Sequence, residues 1–172
     1  MSTPTVIAIA GRIDSGKSSV AAILAAKIEV PVLSFGAYVR STFPPNASRE
    51  QLQEGGSQLL ERLGPDGLIT AVLNASGLGT GDSAIWEGLR HRSVLDSLRA
   101  LYAPIQVQLF FLSPPEGDRL ARAQHEAGGA KRLRRWESHE TESVAALVTE
   151  ADLNVSAPTP DAAAAEILAH LG

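Results

Sequence analysis

The stretch Gly11-Arg12-Ile13-Asp14-Ser15-Gly16-Lys17-Ser18 matches the pattern G-x-x-x-x-G-K-[ST]. The two glycines let the backbone curl so that successive amide N–H groups face one point, and a helix that starts there adds positive potential. The lysine offers a mobile cation to the β- and γ-phosphates of a nucleotide, and the final hydroxyl can reach Mg²⁺. The stretch therefore predicts a phosphate-binding loop, called the P-loop below.

The segments on either side of the P-loop have the periodicities that such a loop requires. Thr5–Ala10 is a short β-branched run with apolar residues on both faces, which is typical of a strand buried in a parallel sheet. After Lys17, apolar residues recur at helical spacing. Contacts to a nucleotide are therefore predicted from the loop and the first helical turn, namely from Gly11, Ile13, Asp14, Ser15, Gly16, Lys17, Ser18 and Ser19.

The rest of the chain alternates between predicted strands and helices. Further strands are predicted at Pro31–Ser34, Ser83–Trp86, Ile105–Leu112 and Leu153–Ser156. Helices are predicted at 36–42, 48–63, 66–74, 91–102, 114–127, near 140–150 and from 159 onward, with a break at Gly64-Pro65. This alternation predicts a five-stranded α/β sheet with right-handed crossovers. At 172 residues the chain is expected to form one domain.

Composition and charge exclude several classes of function. The absence of cysteine excludes disulfides, a thiolate nucleophile and a Cys-ligated zinc. Without a long apolar run or a signal peptide, the chain is expected to be cytoplasmic and without a membrane partner. Its net charge of −4 argues against a nucleic-acid partner. Six basic residues nevertheless cluster in 119–135 and predict a local anion site: Arg119, Arg122, Lys131, Arg132, Arg134 and Arg135.

Four segments beyond the P-loop carry a further similarity: VLSFGAYVR (32–40), REQLQEGGSQLLERLGPDGL (49–68), IWEGLRHRSVLDSLR (85–99) and LFFLSPPEGDRLARAQ (109–124). Together they resemble the nucleoside monophosphate kinase group of P-loop kinases, including deoxynucleotide monophosphate, cytidylate and dephospho-coenzyme A kinases. The resemblance spans nearly the whole chain. It implies a three-layer α/β/α P-loop NTPase fold with strand order 2-3-1-4-5, an acceptor-binding helical region at 35–76 and a lid at 119–137.

The resemblance also implies roles for basic residues outside the P-loop. Arg40 and Arg90 would bind the phosphate of the acceptor, although each could instead be a solvated arginine. Arg119 and Arg122 would close over the transferring phosphoryl group as catalytic residues, or could simply form an exposed helical face. Tyr38 follows the second strand and would either stack on an acceptor base or pack in the protein.

Glu87 stands where that group more often has aspartate. We expect it to serve Mg²⁺ together with Ser18, since a longer carboxylate can hold the metal through water. A structural, hydrogen-bonding carboxylate is the alternative. The histidines show no metal-ligand spacing, so we expect them to be ordinary surface or packed residues.

These observations predict phosphoryl transfer from ATP, with Mg²⁺ and with Lys17 as a further catalytic residue, to a small phosphorylated acceptor such as a nucleoside or deoxynucleoside monophosphate. Such a reaction needs in-line positioning and charge neutralisation, which Mg²⁺, lysine and arginines supply. Two alternatives remain. A kinase acting on an alcohol, as in dephospho-coenzyme A, would use Asp14 as a base, although Asp14 also fits a structural role. A regulatory module would bind the nucleotide without turnover.

Overall fold

Five parallel strands form one sheet in the order β2-β3-β1-β4-β5. The computed structural model describes residues 3–125, 131 and 143–172. The strands are β1 (Val6–Gly11), β2 (Val32–Ser34), β3 (Ala84–Leu89), β4 (Val107–Leu112) and β5 (Leu153–Val155). This order and the parallel pairing confirm the predicted sheet.

Helices cover both faces of the sheet and complete a three-layer α/β/α arrangement. They are α1 (Lys17–Ile28), α2 (Phe35–Ser41), α3 (Arg49–Ser76), α4 (Arg92–Tyr102), α5 (Glu116–Gln124) and α6 (Pro160–Leu171), and residues 143–148 are also helical. One core lies under α1 and α6, and the other lies under α2, α3, α4 and the helical turn at 143–148. Within the described ranges, no helix is long and apolar enough to cross a bilayer.

The central strand β1 explains why the sequence has apolar residues on both of its faces. Ile7 and Ile9 belong to the core under α1 and α6, whereas Ala8 and Ala10 belong to the opposite core. Successive side chains of a strand point to opposite faces, so a strand between two helical layers must be apolar throughout. The P-loop follows the carboxyl end of β1 and therefore lies at the edge of the sheet where open α/β folds bind ligands.

The strand β3 is longer than predicted. Instead of ending at Trp86 it continues to Leu89 through a bulge, which lies between the pairs Ile9–Glu87 and Ala10–Leu89. Gly88 occupies the bulge at φ 87°, in the left-handed region that glycine adopts without strain. The polar Glu87 followed by glycine hid this extension from the sequence pattern. As a result, Glu87 is a strand residue beside the P-loop.

The helix α3 is interrupted at the predicted position. It starts at a capping box formed by Ser48 and Gln51, and it leaves helical geometry at Gly64, where φ is 70° and ψ is 170°. The break is followed by Pro65, which has no N–H to donate. The part after the break packs on the sheet, because it contributes Leu68, Ile69, Val72 and Leu73 to the core.

Candidate nucleotide and acceptor site

The P-loop ends at the start of α1, and this helix start has no side-chain cap. Its N-cap residue is Gly16, at φ 84°, and the first turn carries no acidic residue. The first N–H groups of a helix have no partner within the helix, and they carry the positive end of its dipole. The start of α1 therefore has the features of an anion-binding site, as the motif predicts.

Gly11 is required by close packing around the P-loop. A Cβ atom at this position would lie 2.7 Å from the carbonyl oxygen of Leu112 on the neighbouring strand β4, and 2.7 Å from Ser15 Oγ. The Leu112 oxygen is backbone inside the sheet, so it cannot move aside as a side chain could. Replacing Gly11 would therefore displace the P-loop from the strand that carries it.

We expect Gly11→Ala to destabilise the protein by about 2 kcal/mol through overpacking, and to weaken nucleotide binding at least tenfold. Chemical denaturation and calorimetry with ATP would measure the two effects. Gly117→Ala is the matched control, since among the described residues a Cβ at Gly117 would meet no atom outside its own helix within 4 Å. Equal stability and ATP affinity in the two variants would contradict the packing argument.

The Lys17 ammonium group is held by the P-loop itself. Its Nζ atom donates to the carbonyl oxygens of Gly11 at 2.9 Å and Arg12 at 2.8 Å, and to Ser15 Oγ at 3.4 Å. An ammonium has three protons, so each has an acceptor. The predicted catalytic cation is therefore positioned at the loop that is expected to hold the phosphates.

Glu87 joins the P-loop to the second strand through two serine hydroxyls. Ser18 Oγ donates to Glu87 Oε1 at 3.0 Å, and Ser34 Oγ donates to Glu87 Oε2 at 2.6 Å. Only 8% of Glu87 is exposed. The structure thus brings together the two predicted metal residues, Ser18 and Glu87, and adds Ser34, which the sequence analysis missed. Its position directly before α2 is a helix-capping signal that could have drawn attention to it.

The oxygen atoms of Ser18 and Glu87 form a donor set that suits Mg²⁺, which prefers a carboxylate, hydroxyls and water. A metal site in which protein side chains supply all the ligands would need at least three such side chains close together. In the described part of the chain, no three His, Asp or Glu side chains lie close enough together to form one. Ser18 and Glu87 would hold Mg²⁺ and leave its other positions to phosphates and water.

Arg119 and Arg122 project from α5 onto the backbone of the P-loop. Arg119 is 3% exposed, and its Nε donates to the Ile13 carbonyl at 3.1 Å. Arg122 donates to the Asp14 carbonyl at 3.2 Å and, through its other terminal nitrogen, to the Pro158 carbonyl at 2.8 Å. Both arginines therefore lie beside the predicted phosphate site, where their contacts fix the path of the loop. Their catalytic role stays a prediction.

The predicted acceptor residues follow the carboxyl ends of β2 and β3 in the chain. Arg40 is exposed on α2, Tyr38 is half-buried on the same helix, and Arg90 is exposed directly after β3. Burial and the positive charge of Arg90 both lower the pKa of His91, so this histidine is neutral near pH 7. His91 therefore adds little positive charge beside Arg90.

Much of the predicted lid lies outside the described residues. Residues 126–130 and 132–137 are outside the described ranges, and they include Arg132, Arg134 and Arg135 of the basic cluster. Lys131 is exposed and helical. The lid at 119–137 stays a prediction.

Comparison with solved structures finds the same fold in several kinases. A shikimate kinase from Bacteroides thetaiotaomicron matches over 97% of this chain and 98% of its own, with a TM-score of 0.57 and 13% identity. A shikimate kinase from Aquifex aeolicus matches over 97% and 96%, with a TM-score of 0.55 and 20% identity. A sugar kinase from Janibacter sp. matches over 98% and 94%, with a TM-score of 0.60 and 17% identity. No family model and no curated protein matches the sequence.

Proposed function

We propose that this chain is an ATP-dependent phosphotransferase that acts on a small phosphorylated acceptor, a nucleoside or deoxynucleoside monophosphate. The observation that carries the proposal is the bond between Ser18 at the end of the P-loop and the buried Glu87 on β3. This bond joins the predicted phosphate site to a carboxylate suited to Mg²⁺. The similar structures include a shikimate kinase and a sugar kinase, which supports phosphorylation of a small molecule.

Each group has a role in the proposed reaction. Lys17 and the P-loop amides bind the ATP phosphates, and Ser18 with Glu87 would hold Mg²⁺. When bound, Mg²⁺ would supply neutralisation of the charge on the β- and γ-phosphates. Arg40 and Arg90 orient the acceptor phosphate. The remaining positive charge comes from arginines of α5, whose bonds to the loop carbonyls also preserve its shape.

The hydrogen bonds of Glu87 bear on whether this residue could act as a catalytic base. A kinase that phosphorylates a hydroxyl benefits from a carboxylate that accepts the hydroxyl proton, whereas a phosphate monoester is already an anion near pH 7. Both oxygens of Glu87 already accept hydrogen bonds from Ser18 and Ser34. Glu87 is therefore poorly placed to act as a base, and a hydroxyl kinase would have to use another carboxylate.

A hydroxyl kinase is the second candidate, because the similar structures include two shikimate kinases and a sugar kinase. Asp14 would then be the candidate base. A coupled ADP-release assay across nucleoside monophosphates, their deoxy forms, dephospho-coenzyme A, shikimate and simple sugars tests both candidates. Turnover with monophosphates supports the proposal, and turnover only with the alcohol acceptors overturns it. Tight ATP binding without any turnover would indicate a nucleotide-sensing module.

We expect Arg40→Ala and Arg90→Ala to raise the KM for the acceptor about tenfold to a hundredfold, since each removes a charge-assisted contact to its phosphate. ATP affinity, measured by calorimetry without acceptor, should stay within about twofold. Arg92→Ala is the matched control. It removes the same charge two residues from Arg90, but its guanidinium pairs with Glu150 at 3.0 Å. If both variants behave like Arg92→Ala with every monophosphate, the acceptor site is elsewhere.

A further inference from the structure

The hydroxyl of Ser34 takes part in two hydrogen bonds that connect different parts of the site. It accepts the Ala37 backbone N–H at 3.1 Å, which caps the start of α2. It donates its own proton to Glu87 Oε2 at 2.6 Å. The other oxygen of Glu87 accepts from Ser18, the last residue of the P-loop motif. One chain of hydrogen bonds therefore runs from α2 through Ser34 and Glu87 to the P-loop.

Packing holds the same two elements together around this chain. Ser34 and Glu87 are register partners of the neighbouring strands β2 and β3. The ring of Phe35 lies 5.0 Å from the buried ring of Trp86, between centroids. A Cβ at Gly88 would come within 3.6 Å of the Gly36 nitrogen. The first turn of α2 is thus fixed on the end of β3, at the carboxylate that faces the P-loop.

We propose that Ser34 is a positioning residue that couples the placement of α2 to the Mg²⁺ and nucleotide site through Glu87. The inference rests on the proposed function, because α2 carries Tyr38 and Arg40 of the proposed acceptor site. A hydrogen bond donated to a carboxylate fixes the orientation of that carboxylate, and a bond from the helix N–H fixes the donor in turn. Nucleotide binding with Mg²⁺ should therefore raise the hydrogen-exchange protection of the first turn of α2, which already packs on β3.

The test uses binding of a non-hydrolysable ATP analogue, so it does not depend on turnover. Calorimetry gives the ratio of its Kd without Mg²⁺ to its Kd with Mg²⁺, and hydrogen exchange follows residues 35–41 on adding both. We expect Ser34→Ala to lower the ratio about fivefold to tenfold and to abolish the ligand-induced protection. Ser34→Thr, which keeps the hydroxyl, should restore both. The control is Ser41→Ala, because the Ser41 hydroxyl bonds only to the Tyr38 carbonyl among the described contacts, at 2.6 Å.

Ser34→Gly separates this role from simple capping of α2, and it serves as a second variant if Ser34→Ala does not fold. Glycine caps a helix nearly as well as serine, but it has no proton to donate to Glu87. The proposal predicts that Ser34→Gly loses the Mg²⁺ effect and the induced protection. A capping role alone predicts that it keeps both, and that result would overturn the proposal. Lack of turnover with every acceptor would overturn the proposed function instead, and the binding test would still be readable.

Discussion

Lys17→Ala is expected to lower turnover about a hundredfold or more at saturating MgATP, because the ammonium charge stabilises the phosphoryl group most strongly in the transition state. The structure adds a reason why the groups that surround the Lys17 ammonium do not supply its charge in the variant. The Lys17 ammonium is bound by the carbonyls of Gly11 and Arg12, so its removal leaves these two oxygen atoms without the cation that they bind. ADP release with the best acceptor gives the measurement.

The control for this prediction is Lys27→Ala. Lys27 lies in the last turn of the same helix, is exposed, and lies about 15 Å along the helix axis from Lys17. It should retain wild-type turnover, and both variants should keep the wild-type unfolding temperature to within a few degrees. Turnover in Lys17→Ala equal to that in Lys27→Ala would refute a catalytic P-loop.

Local sequence patterns were sufficient to predict the parts of the site that depend on neighbouring residues. The apolar run of β1, the P-loop and the helical spacing of α1 lie within one short segment, so each pattern reports directly on its own backbone. The strand order could be predicted only through the family resemblance, since pairing between distant strands leaves no local trace. The break at Gly64-Pro65 was again a local signal, because proline cannot donate the hydrogen bond that would continue the helix.

Contacts between distant segments could not be predicted in this way. The bond between Ser34 and Glu87 depends on the register of β2 against β3, and a serine before a helix predicts a cap but not its second partner. Arg119 shows the same limit. Its place in a basic cluster allowed an exposed face as one alternative, yet it is buried against a P-loop carbonyl 106 residues away in the chain. The sequence of a basic cluster does not show which of its arginines will bond to a backbone carbonyl and which will face solvent.

The second large effect is expected for Glu87→Gln, which should lower kcat/KM about a hundredfold and raise the Mg²⁺ concentration needed for activity. Glutamine has the shape of glutamate and can still accept a hydrogen bond from Ser18, so the variant removes mainly the negative charge. A titration of activity against Mg²⁺ measures both effects. Wild-type activity and Mg²⁺ dependence in Glu87→Gln would show that the carboxylate has only a structural role.

The unfolding temperature of Glu87→Gln helps to distinguish a functional role of Glu87 from a structural one. Burying a carboxylate costs free energy of solvation, which two serine hydroxyls recover only in part. Glu87→Gln should therefore unfold at the wild-type temperature or slightly above it while it loses activity.

Glu87→Asp is the complementary variant. It keeps the negative charge, but its shorter side chain reaches less far toward the hydroxyls of Ser18 and Ser34. If charge is what the site requires, Glu87→Asp should retain more activity than Glu87→Gln. The opposite ranking would mean that Glu87 serves the site by its hydrogen bonds.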